Sequence, residues 1–353
     1  MRDFWSGRRV FVTGHTGFKG GWLSLWLADM GAIVTGYSLA PPSPQNLFET
    51  ARVSELIENN ITGDVCDNEH LFQALQDAKP EIVLHLAAQS LVRLSYQEPL
   101  ETFQTNVMGT ANLFEAARKT PSVKSVVNVT TDKCYENQEW VWPYRENEPL
   151  GGHDPYSSSK ACSELVTTSY RKAFMAGEGK QLASARAGNV IGGGDWAADR
   201  LIPDFLRAMD DSVPITIRSP EAVRPWQHAL EPVSGYLQLA QALIEKPGSF
   251  DEAWNFGPSE QDAKPVRWIV DYLVGRFKGP EWLLDQAGQV HEANLLMLSS
   301  AKAKQRLGWS PRWNLPTALE KTVDWHLNWR DGSDMQFFTL QQIRDYEGTV
   351  GNG

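Results

Sequence analysis

The sequence predicts an α/β fold, a doubly wound parallel sheet with a smaller C-terminal lobe, on three observations. Apolar β-forming residues near the start run directly into a glycine-rich turn and an amphipathic segment. Strand and helix patterns then alternate as far as residue 131, which is typical of parallel sheets. Beyond residue 188 the pattern changes to short segments interrupted by glycine and proline. We therefore expect a large domain at 1–188 and a lobe at 189–353, parts of which return to the large domain.

The glycine-rich turn reads Gly14-His-Thr-Gly-Phe-Lys-Gly20. Gly14 allows the strand to end in a tight turn, Gly17 lets the backbone approach a pyrophosphate, and Gly20 lets the next helix pack closely on the strand. The free N–H groups and positive dipole end of that helix favour phosphate oxygens. The turn therefore predicts a Rossmann-type dinucleotide site, to which Thr16, Phe18 and Lys19 also belong.

The second strand, at 32–39, is where such a site usually selects between NAD and NADP. An acidic residue at its end would bind a ribose 2′-hydroxyl and an arginine would accept a 2′-phosphate, but here it ends in Tyr37, Ser38 and Leu39. Lys19 is either close to a 2′-phosphate or an exposed helix lysine, and we prefer the second interpretation. The strand by itself leaves both cofactors open.

Four more positions follow strands three and four, at the carboxyl edge where doubly wound sheets bind ligands. Asp64 and Val65 end the third strand, and Asp64 either meets the adenine amine or caps a helix. Ala87 and Ala88 end the fourth strand, at 81–88, where small side chains let the chain pass beside a cofactor or merely pack tightly. Arg93 lies in the following loop and is a candidate anion ligand.

The helix predicted at 100–119 carries one polar residue, Asn106, among core-facing neighbours. A buried asparagine must be hydrogen-bonded, so Asn106 holds either the helix or a catalytic water beside the cofactor. The fifth strand, at 125–131, then delivers Thr131, Asp132 and Lys133 to the same edge of the sheet. That edge is the expected catalytic side.

A tyrosine and a lysine begin the next predicted helix as Tyr156-Ser-Ser-Ser-Lys160. Residues four apart share one helix face, so the ammonium can bind ribose and lower the pKa of the phenol by its charge. The spacing alone is common. Together with the glycine turn and Thr131 it forms a catalytic and cofactor-binding constellation.

These motifs resemble the extended short-chain dehydrogenase/reductase family over residues 8–325. More narrowly, the run from Thr131 to Tyr135, the run from Gly188 to Asp195, and Arg224-Pro-Trp-Gln-His228 resemble the CDP-glucose branch of the nucleotide-sugar 4,6-dehydratases. In the dTDP-glucose branch a glutamate stands where this chain has Lys133. Inverting UDP-N-acetylglucosamine dehydratases also have the Asp-Lys pair, so the nucleotide is left more open than the reaction.

The resemblance implies NAD as cofactor and CDP-glucose as substrate. Tyr156, as tyrosinate, takes the proton of the sugar 4-hydroxyl while hydride passes from C4 to NAD, and Thr131 binds the same oxygen. Lys133, when neutral, or a base that it positions, then removes the C5 proton. Protonated Asp132 donates to the departing C6 hydroxyl. Asn189, Arg200 and Arg224 of the lobe would bind the nucleotide diphosphate, with surface ion pairs as the alternative for the arginines.

Two other functions compete with dehydration. A sugar-nucleotide 4-epimerase would use Tyr156, Lys160 and Thr131 but has no need for an acid and a base at 132 and 133. A non-enzymatic NAD-binding sensor or scaffold would not need the Tyr156/Lys160 pair, although the fold alone does not exclude it. Both remain alternatives to the dehydratase interpretation.

The amino-acid composition limits the classes of partner that the protein is expected to bind. The formal net charge of −10 and the lack of a lysine/arginine run argue against nucleic acid, and no apolar stretch approaches the roughly 18 residues of a membrane span. With no apolar leader and three widely spaced cysteines, we expect a cytoplasmic protein with reduced thiols. The histidines show no metal-ligand spacing, so no metal is expected. Apolar residues in excess on helices 100–119 and 156–176 predict a homodimer.

Overall fold

A seven-stranded parallel sheet forms the centre of the computed structural model, which describes residues 1–285 and 295–349. From one edge to the other the strands are β3 (Asn59–Thr62), β2 (Ile33–Ser38), β1 (Arg9–Thr13), β4 (Ile82–His85), β5 (Ser125–Val129), β6 (Gln181–Ala187) and β11 (Ala253–Phe256). Each neighbouring pair runs parallel, and the strand order reverses between β1 and β4. This confirms the doubly wound α/β fold and puts the switch point beside the glycine turn.

Helices and short strand pairs complete the described part of the chain. The helices are α1 (Arg2–Trp5), α2 (Phe18–Asp29), α3 (Leu47–Thr50), α4 (Asn68–Ala78), α5 (Val92–Gln97), α6 (Pro99–Phe103), α7 (Gly109–Lys119), α8 (Pro155–Tyr170), α9 (Leu201–Asp211), α10 (Leu230–Glu245), α11 (Val266–Phe277), α12 (Leu315–Arg330) and α13 (Met335–Gly348). The short strands are β7 (Val190–Ile191), β8 (Ile215–Ile217), β9 (Val223–Pro225), β10 (Gln227–His228), β12 (Ala263–Pro265) and β13 (Trp282–Leu284), which pair as β7/β10, β9/β12 and β8/β13. Within residues 1–285 and 295–349, no helix has the length and apolar character of a membrane span.

Both faces of the sheet are buried along its inner strands, which explains why these strands read as nearly unbroken apolar runs. Val10 and Val12 of β1 pack into the same cluster as α2 and α10, whereas Phe11, between them, packs with α4 and α7 on the other face. Successive side chains of a strand point to opposite faces. The inner strands β1, β4 and β5 are therefore apolar at most positions, whereas the edge strand β3 is polar and mostly exposed.

A separate hydrophobic cluster underlies the lobe. It joins α9, β8, α11 and α12 through residues such as Phe205, Ile215, Ile269 and Leu319. Strand β11 and helix α10 come after residue 189 but belong to the central sheet and its covering layer. The expected division of the chain at residue 188 stays a prediction.

Several elements differ from the sequence interpretation. The helix expected at 100–119 consists of α6, a π-helical turn at Gln104–Met108 and α7, and the Thr110 hydroxyl donates to the Asn106 carbonyl within this turn. The fourth strand ends at His85 rather than at residue 88, and Arg93 lies on the short helix α5 rather than in a loop. The second long helix starts at Pro155 and turns π-helical at Arg171–Met175.

Candidate active site

The glycine turn forms a tight cradle at the switch point. Gly14 has φ +76°, and a Cβ there would lie 2.7 Å from the Ala87 nitrogen. A Cβ on Gly20 would lie 2.0 Å from the Gly14 carbonyl oxygen, so helix α2 can approach the turn only because residue 20 is glycine. Gly17 is the N-cap of α2 and has no side-chain cap hydrogen bond. These residues fit a bound dinucleotide, whose pyrophosphate would face the first N–H groups of α2.

Neighbouring predicted cofactor residues line the same cradle. The Thr16 hydroxyl lies 2.8 Å from the Ser38 hydroxyl and donates to the Leu39 carbonyl at 3.0 Å, which fixes the turn to the end of β2. Ala87 donates its N–H to the Thr13 hydroxyl at 3.2 Å, and Ala88 follows in the same extended segment. Phe18, the first residue of α2, is half-buried against the core.

Asp64 and Val65 lie beyond the end of β3. Asp64 is exposed, and its carboxylate accepts the backbone N–H of Cys66 at 2.9 Å. Val65 is buried, and its carbonyl accepts from the Asn112 side chain at 3.0 Å. The helix cap considered for Asp64 is provided instead by Asp67, which accepts from the His70 N–H at 3.0 Å. Contact of Asp64 with an adenine amine stays a prediction.

The preferred interpretation of Lys19 as an exposed helix lysine is wrong. Its side chain turns inward, and Nζ lies 3.4 Å from the Tyr236 hydroxyl on α10. Burial lowers the pKa of Lys19 to about 8, and the positive charges of Lys160 and Arg200 act in the same direction. Lys19 therefore adds a cation to the catalytic side of the cradle.

Asn106 acts as a brace between two segments. Its carboxamide nitrogen donates to the Gln89 carbonyl and to the Ser159 hydroxyl, both at 2.9 Å. Its carboxamide oxygen accepts the Gln89 N–H at 2.9 Å. Asn106 thus joins the chain after β4 to helix α8. These contacts favour a structural role for Asn106 over direct contact with a cofactor.

The segment after β5 brings Thr131, Asp132 and Lys133 together. Asp132–Cys134 forms one turn of 3₁₀ helix, and Thr131 caps it by accepting the Lys133 N–H at 3.3 Å. The Thr131 hydroxyl donates to Asp132 Oδ1 at 3.0 Å. Asp132 is 1% exposed, whereas Lys133 is half-buried. The three side chains therefore start from a single turn at the carboxyl edge of the sheet.

The Asp132 carboxyl is suited to carry a proton. Burial raises its pKa, against the opposing effects of Lys133, the Thr131 hydrogen bond and Arg224. Oδ2 is buried and has no hydrogen-bond partner in the structure. A protonated Oδ2 would be a donor without an acceptor in the part of the chain that the structure describes, which is the state a general acid needs.

Helix α8 presents Tyr156 and Lys160 from one face. The Asp154 side chain caps it by accepting the Ser157 N–H at 2.9 Å, and Pro155 occupies the first turn, where its missing N–H costs nothing. Tyr156 and Lys160 are 8% and 6% exposed. The Lys160 ammonium donates to the Val129 carbonyl at 3.5 Å.

Electrostatics couples this pair to its surroundings. Burial raises the pKa of Tyr156 to about 12, while the Thr131 hydrogen bond and the Arg200 charge lower it. Burial lowers the pKa of Lys160 to about 8, and the Glu164 carboxylate opposes this. A dinucleotide would add the positive charge of its nicotinamide, which favours the tyrosinate. The pair can therefore remove a proton from an alcohol.

The predicted substrate-binding residues differ in whether they interact with Tyr156 and Asp132. Arg200 pairs with Asp195 at 2.8 Å and still acts on Tyr156, and the Arg224 charge acts on Asp132. The Asn189 carbonyl accepts the Gln227 N–H at 3.1 Å. Arg93 forms an exposed ion pair with Asp199 at 3.1 Å. Arg200 thus forms an ion pair, which was the alternative to substrate binding, but its charge also acts on Tyr156.

Sequence reasoning missed three residues of the site. Tyr236 lies against Lys19 and its phenol is coupled to Tyr156. Gly188 is needed beside Asp132, because a Cβ there would lie 2.9 Å from Asp132 Oδ2 and 2.6 Å from Pro225 Cγ. Glu164 forms a buried ion pair with a strand arginine. Glu164 continues the four-residue spacing of Tyr156 and Lys160, and Gly188 begins a run that carries the family resemblance, whereas Tyr236 had no signal in the sequence.

Histidine and cysteine side chains take other roles. His85 is buried, and its Nδ1 lies 2.7 Å from the Thr13 hydroxyl. Cys66, Cys134 and Cys162 are unpaired. No group of three or more His, Cys, Asp and Glu side chains within 1–285 and 295–349 could hold a metal ion.

Comparison with known proteins agrees with this geometry. Residues 10–257 match the model of the NAD dependent epimerase/dehydratase family. The chain belongs to this family. It is 53% identical over 351 residues to the CDP-glucose 4,6-dehydratase of Salmonella typhimurium, covering 98% of each chain. It is also 26% identical over 356 residues to a dTDP-glucose 4,6-dehydratase of Xanthomonas campestris, covering 94% of this chain and 97% of the relative.

Solved structures share the fold at lower identity. The NAD complex of a dTDP-glucose 4,6-dehydratase from Bacillus anthracis superimposes with a TM-score of 0.77 at 21% identity, covering 94% of this chain and 100% of the other. A UDP-glucose-4-epimerase from Stenotrophomonas maltophila reaches a TM-score of 0.80 at 19% identity, covering 92% and 100%. Because dehydratases and epimerases fit equally well, the fold does not separate the two reactions.

Proposed function

We propose that the protein is an NAD-dependent hydro-lyase that converts CDP-glucose to CDP-4-dehydro-6-deoxyglucose and water. The observation that carries the proposal is the buried Asp132 carboxyl next to Thr131: burial raises its pKa, and its Oδ2 has no hydrogen-bond partner among the described residues. The 53% identity to a CDP-glucose 4,6-dehydratase supports the choice of reaction and nucleotide.

NAD fits the cradle around Gly14 and Gly20, where a Cβ at either position would collide with backbone. The N-terminus of α2 would hold its pyrophosphate, and Lys160 its ribose. When bound, NAD supplies the oxidising power at C4 and the reducing power at C6. The remaining steps belong to side chains of this chain.

The first of these steps is proton removal from the sugar 4-hydroxyl. Tyr156 accepts this proton as tyrosinate, whose pKa the Arg200 charge lowers. A Lys160 ammonium, one helical turn away, would also favour the negative phenolate. The Thr131 hydroxyl binds the same sugar oxygen and holds it in line. A ketone at C4 then makes the C5 proton acidic.

The second step is loss of water across C5 and C6. Lys133 receives the C5 proton or positions the group that does so, and Asp132 gives its proton to the C6 oxygen, so that the C–O bond breaks and water leaves. C5 later regains a proton as C6 is reduced. Atoms balance, since the proton from Asp132 and the hydroxyl from C6 make up the water.

A sugar-nucleotide 4-epimerase is the second candidate, because epimerases share the fold and would use Tyr156, Lys160 and Thr131. Such an enzyme has no step that requires a buried acid. The structure of Asp132 therefore favours dehydration. Another nucleotide in place of CDP is the closest variant of the proposal.

We also propose a cytoplasmic homodimer. Leu100 is 84% exposed, and Met108 and Leu165 are 48% and 59% exposed on neighbouring helices. Leu100 and Met108 line an apolar surface together with Phe103, Val107 and Cys162, on the outside of α6, the π-helical turn at Gln104–Met108 and α8. Leu165 lies on α8, about one turn beyond Cys162. A second copy would cover this surface symmetrically. Unpaired cysteines suit a reducing compartment.

A direct test is incubation of the purified protein and NAD with CDP-glucose, dTDP-glucose, UDP-glucose and UDP-N-acetylglucosamine, followed by mass spectrometry. The proposal expects loss of one water, fastest with CDP-glucose. Conversion without change of mass would favour the epimerase. Loss of water only from another nucleotide sugar would correct the nucleotide and keep the reaction.

A further inference from the structure

Thr13 and His85 form the last pair of residues between strands β1 and β4, and their side chains are 0% and 2% exposed. Beyond this pair both strands leave the sheet. Strand β1 continues into Gly14 of the glycine turn, and β4 continues into Leu86 and Ala87. The proposed steps of the reaction use neither of the two buried side chains.

The Thr13 hydroxyl holds the chain that leaves β4. Its oxygen accepts the backbone N–H groups of Leu86 and Ala87, both at 3.2 Å, and the Leu86 N–H also donates to the Thr13 carbonyl at 3.1 Å. The same backbone borders the glycine turn, since a Cβ on Gly14 would lie 2.7 Å from the Ala87 nitrogen and 2.8 Å from the Leu86 carbonyl carbon. The position of one hydroxyl therefore sets how the two strand ends meet in the cradle.

The donors and acceptors around Thr13 fix the direction of its hydrogen bond to His85. A threonine hydroxyl has two lone pairs and one hydrogen. The two N–H groups occupy the lone pairs, so the hydrogen is donated to His85 Nδ1, which lies 2.7 Å away. Nδ1 is therefore an acceptor, and the proton of the neutral imidazole is on Nε2.

The other ring nitrogen of His85 fits this tautomer. Nε2 lies 3.4 Å from the Thr110 hydroxyl oxygen, and the Thr110 hydroxyl donates its own hydrogen to the Asn106 carbonyl at 2.7 Å. Thr110 can therefore only accept from His85, and a proton on Nε2 supplies the donor. Burial lowers the pKa of His85 to about 3, and the Lys160 charge acts in the same direction, so the imidazole is neutral at pH 7.

The chain after β4 is thus held at two successive points. Thr13 holds the two residues that follow His85, and the Asn106 carboxamide holds Gln89 by its N–H and its carbonyl, both at 2.9 Å. His85 contacts Thr13 directly and reaches Asn106 through Thr110. One buried imidazole therefore lies between the two clamps of this segment.

We propose that His85 is a positioning residue of the dinucleotide site: as the neutral Nε2–H tautomer it fixes the Thr13 hydroxyl and, through it, the backbone of residues 86–87 beside Gly14. This inference deepens the proposed function and rests on NAD binding in this cradle. Without the acceptor at residue 85 the Thr13 hydroxyl is free to rotate. The backbone beside Gly14 then loses its fixed acceptor, and NAD binds more weakly.

The first test identifies the tautomer by nitrogen NMR of holoenzyme with ¹⁵N-labelled histidine. The His85 signals are assigned by their absence in His85→Asn. The expected result at neutral pH is a hydrogen on Nε2 and none on Nδ1. A hydrogen on Nδ1 would put three donors on the Thr13 oxygen, which has two lone pairs, and would overturn the proposal. The measurement uses the wild-type chain and no substrate, so it is independent of whether CDP-glucose is turned over.

The second test measures the affinity for NAD by equilibrium dialysis of the full chain. His85→Leu removes the acceptor, and Thr13→Val removes the hydroxyl while keeping the shape of the side chain. Each should raise the Kd for NAD by about tenfold or more, the usual effect of leaving a buried polar group unpaired. His85→Asn puts a carboxamide oxygen near the position of Nδ1 and should restore most of the affinity.

Thr322→Val is the matched control for Thr13→Val. Thr322 is also 0% exposed, and its hydroxyl donates to the Ala318 carbonyl at 2.7 Å within helix α12 of the lobe. Its Kd for NAD should equal that of the wild type. Wild-type affinity in folded His85→Leu and Thr13→Val would overturn the proposal, and so would an equal loss of affinity in Thr322→Val.

Turnover gives a third readout where dehydration of CDP-glucose is established. In His85→Leu the NAD concentration that gives half of the maximal rate should rise with the Kd, while kcat at saturating NAD changes little. A purely structural role for His85 would reduce the amount of folded protein and leave that concentration as in the wild type. This outcome would also contradict the proposal.

Discussion

The Thr131 hydroxyl donates a hydrogen bond to Asp132 Oδ1 at 3.0 Å, which leaves Oδ2 as the buried oxygen without a partner. The residue proposed to bind the 4-oxygen therefore orients the residue proposed to protonate the 6-oxygen. Adjacent positions on one turn thus serve two different carbons of the sugar. Because different side chains are proposed for oxidation and elimination, a single substitution should block one step and leave the other.

Asp132→Asn should separate the two half-reactions. An asparagine cannot give up a proton, so elimination should slow by about 10²–10⁴-fold, while Tyr156 still oxidises C4. Addition of CDP-glucose should then produce the absorbance of reduced cofactor with little product. Tyr156→Phe should show neither signal. Turnover of Asp132→Asn at the wild-type rate would exclude Asp132 as the acid.

The same substitution should stabilise the fold at neutral pH. The pKa of Asp132 is raised in the folded state, so its ionisation costs stability once the pH exceeds the ordinary aspartate value of about 3.9, and the cost is complete above the raised pKa. Asp132→Asn should unfold at a higher temperature than the wild type at pH 7. This difference should vanish towards acid pH.

Calorimetry across pH checks this expectation. Exposed Asp3, substituted by asparagine, serves as the control and should change the unfolding temperature little at any pH. If Asp132→Asn unfolded at a lower temperature than the wild type at pH 7, ionisation of Asp132 would not cost the folded protein stability, and the expectation would be wrong.

Gly188→Ala should impair catalysis without unfolding the protein. The added Cβ would lie 2.9 Å from Asp132 Oδ2 and 2.6 Å from Pro225, so one of them must move. A displacement near 1 Å can cost about 10²-fold in rate, and we expect a loss of this order in kcat. Gly275→Ala is the control, since nothing lies within 4 Å of its Cβ. Equal kinetics in the two variants would refute the steric argument.

Local motifs allowed much of this site to be predicted. The glycine turn, the Thr131 segment and the Tyr156/Lys160 spacing each lie within seven residues or fewer at the end of one strand or the start of one helix, so their geometry follows from local structure. The doubly wound topology then brings them to the same edge of the sheet.

Features that depend on distant partners could not be predicted. Lys19 faces inward because of Tyr236, which is 217 positions away. Glu164 on helix α8 pairs with Arg186 on strand β6, and Gly188 is constrained by Asp132.

The apolar surface around Leu100 should hold two copies together. Light scattering should give about twice the chain mass of 39.5 kDa at micromolar concentration. Leu100→Glu should shift the protein to the monomer, because it puts a charge at the most exposed apolar position. Phe337→Glu, at a side chain that is 64% exposed on α13, should leave the dimer intact. A wild-type monomer would refute the dimer.

The most complete test follows the label from C4. The proposed reaction oxidises and reduces the same bound sugar, so net cofactor consumption should be zero. Deuterium at C4 of CDP-glucose should reappear at C6 of the product, and C5 should gain a solvent proton, which NMR and mass spectrometry measure together. An epimerase would return the label to C4, and an ordinary dehydrogenase would release it with free reduced cofactor. Label in either of those places, or reduced cofactor that grows in step with product, would rule out the dehydratase.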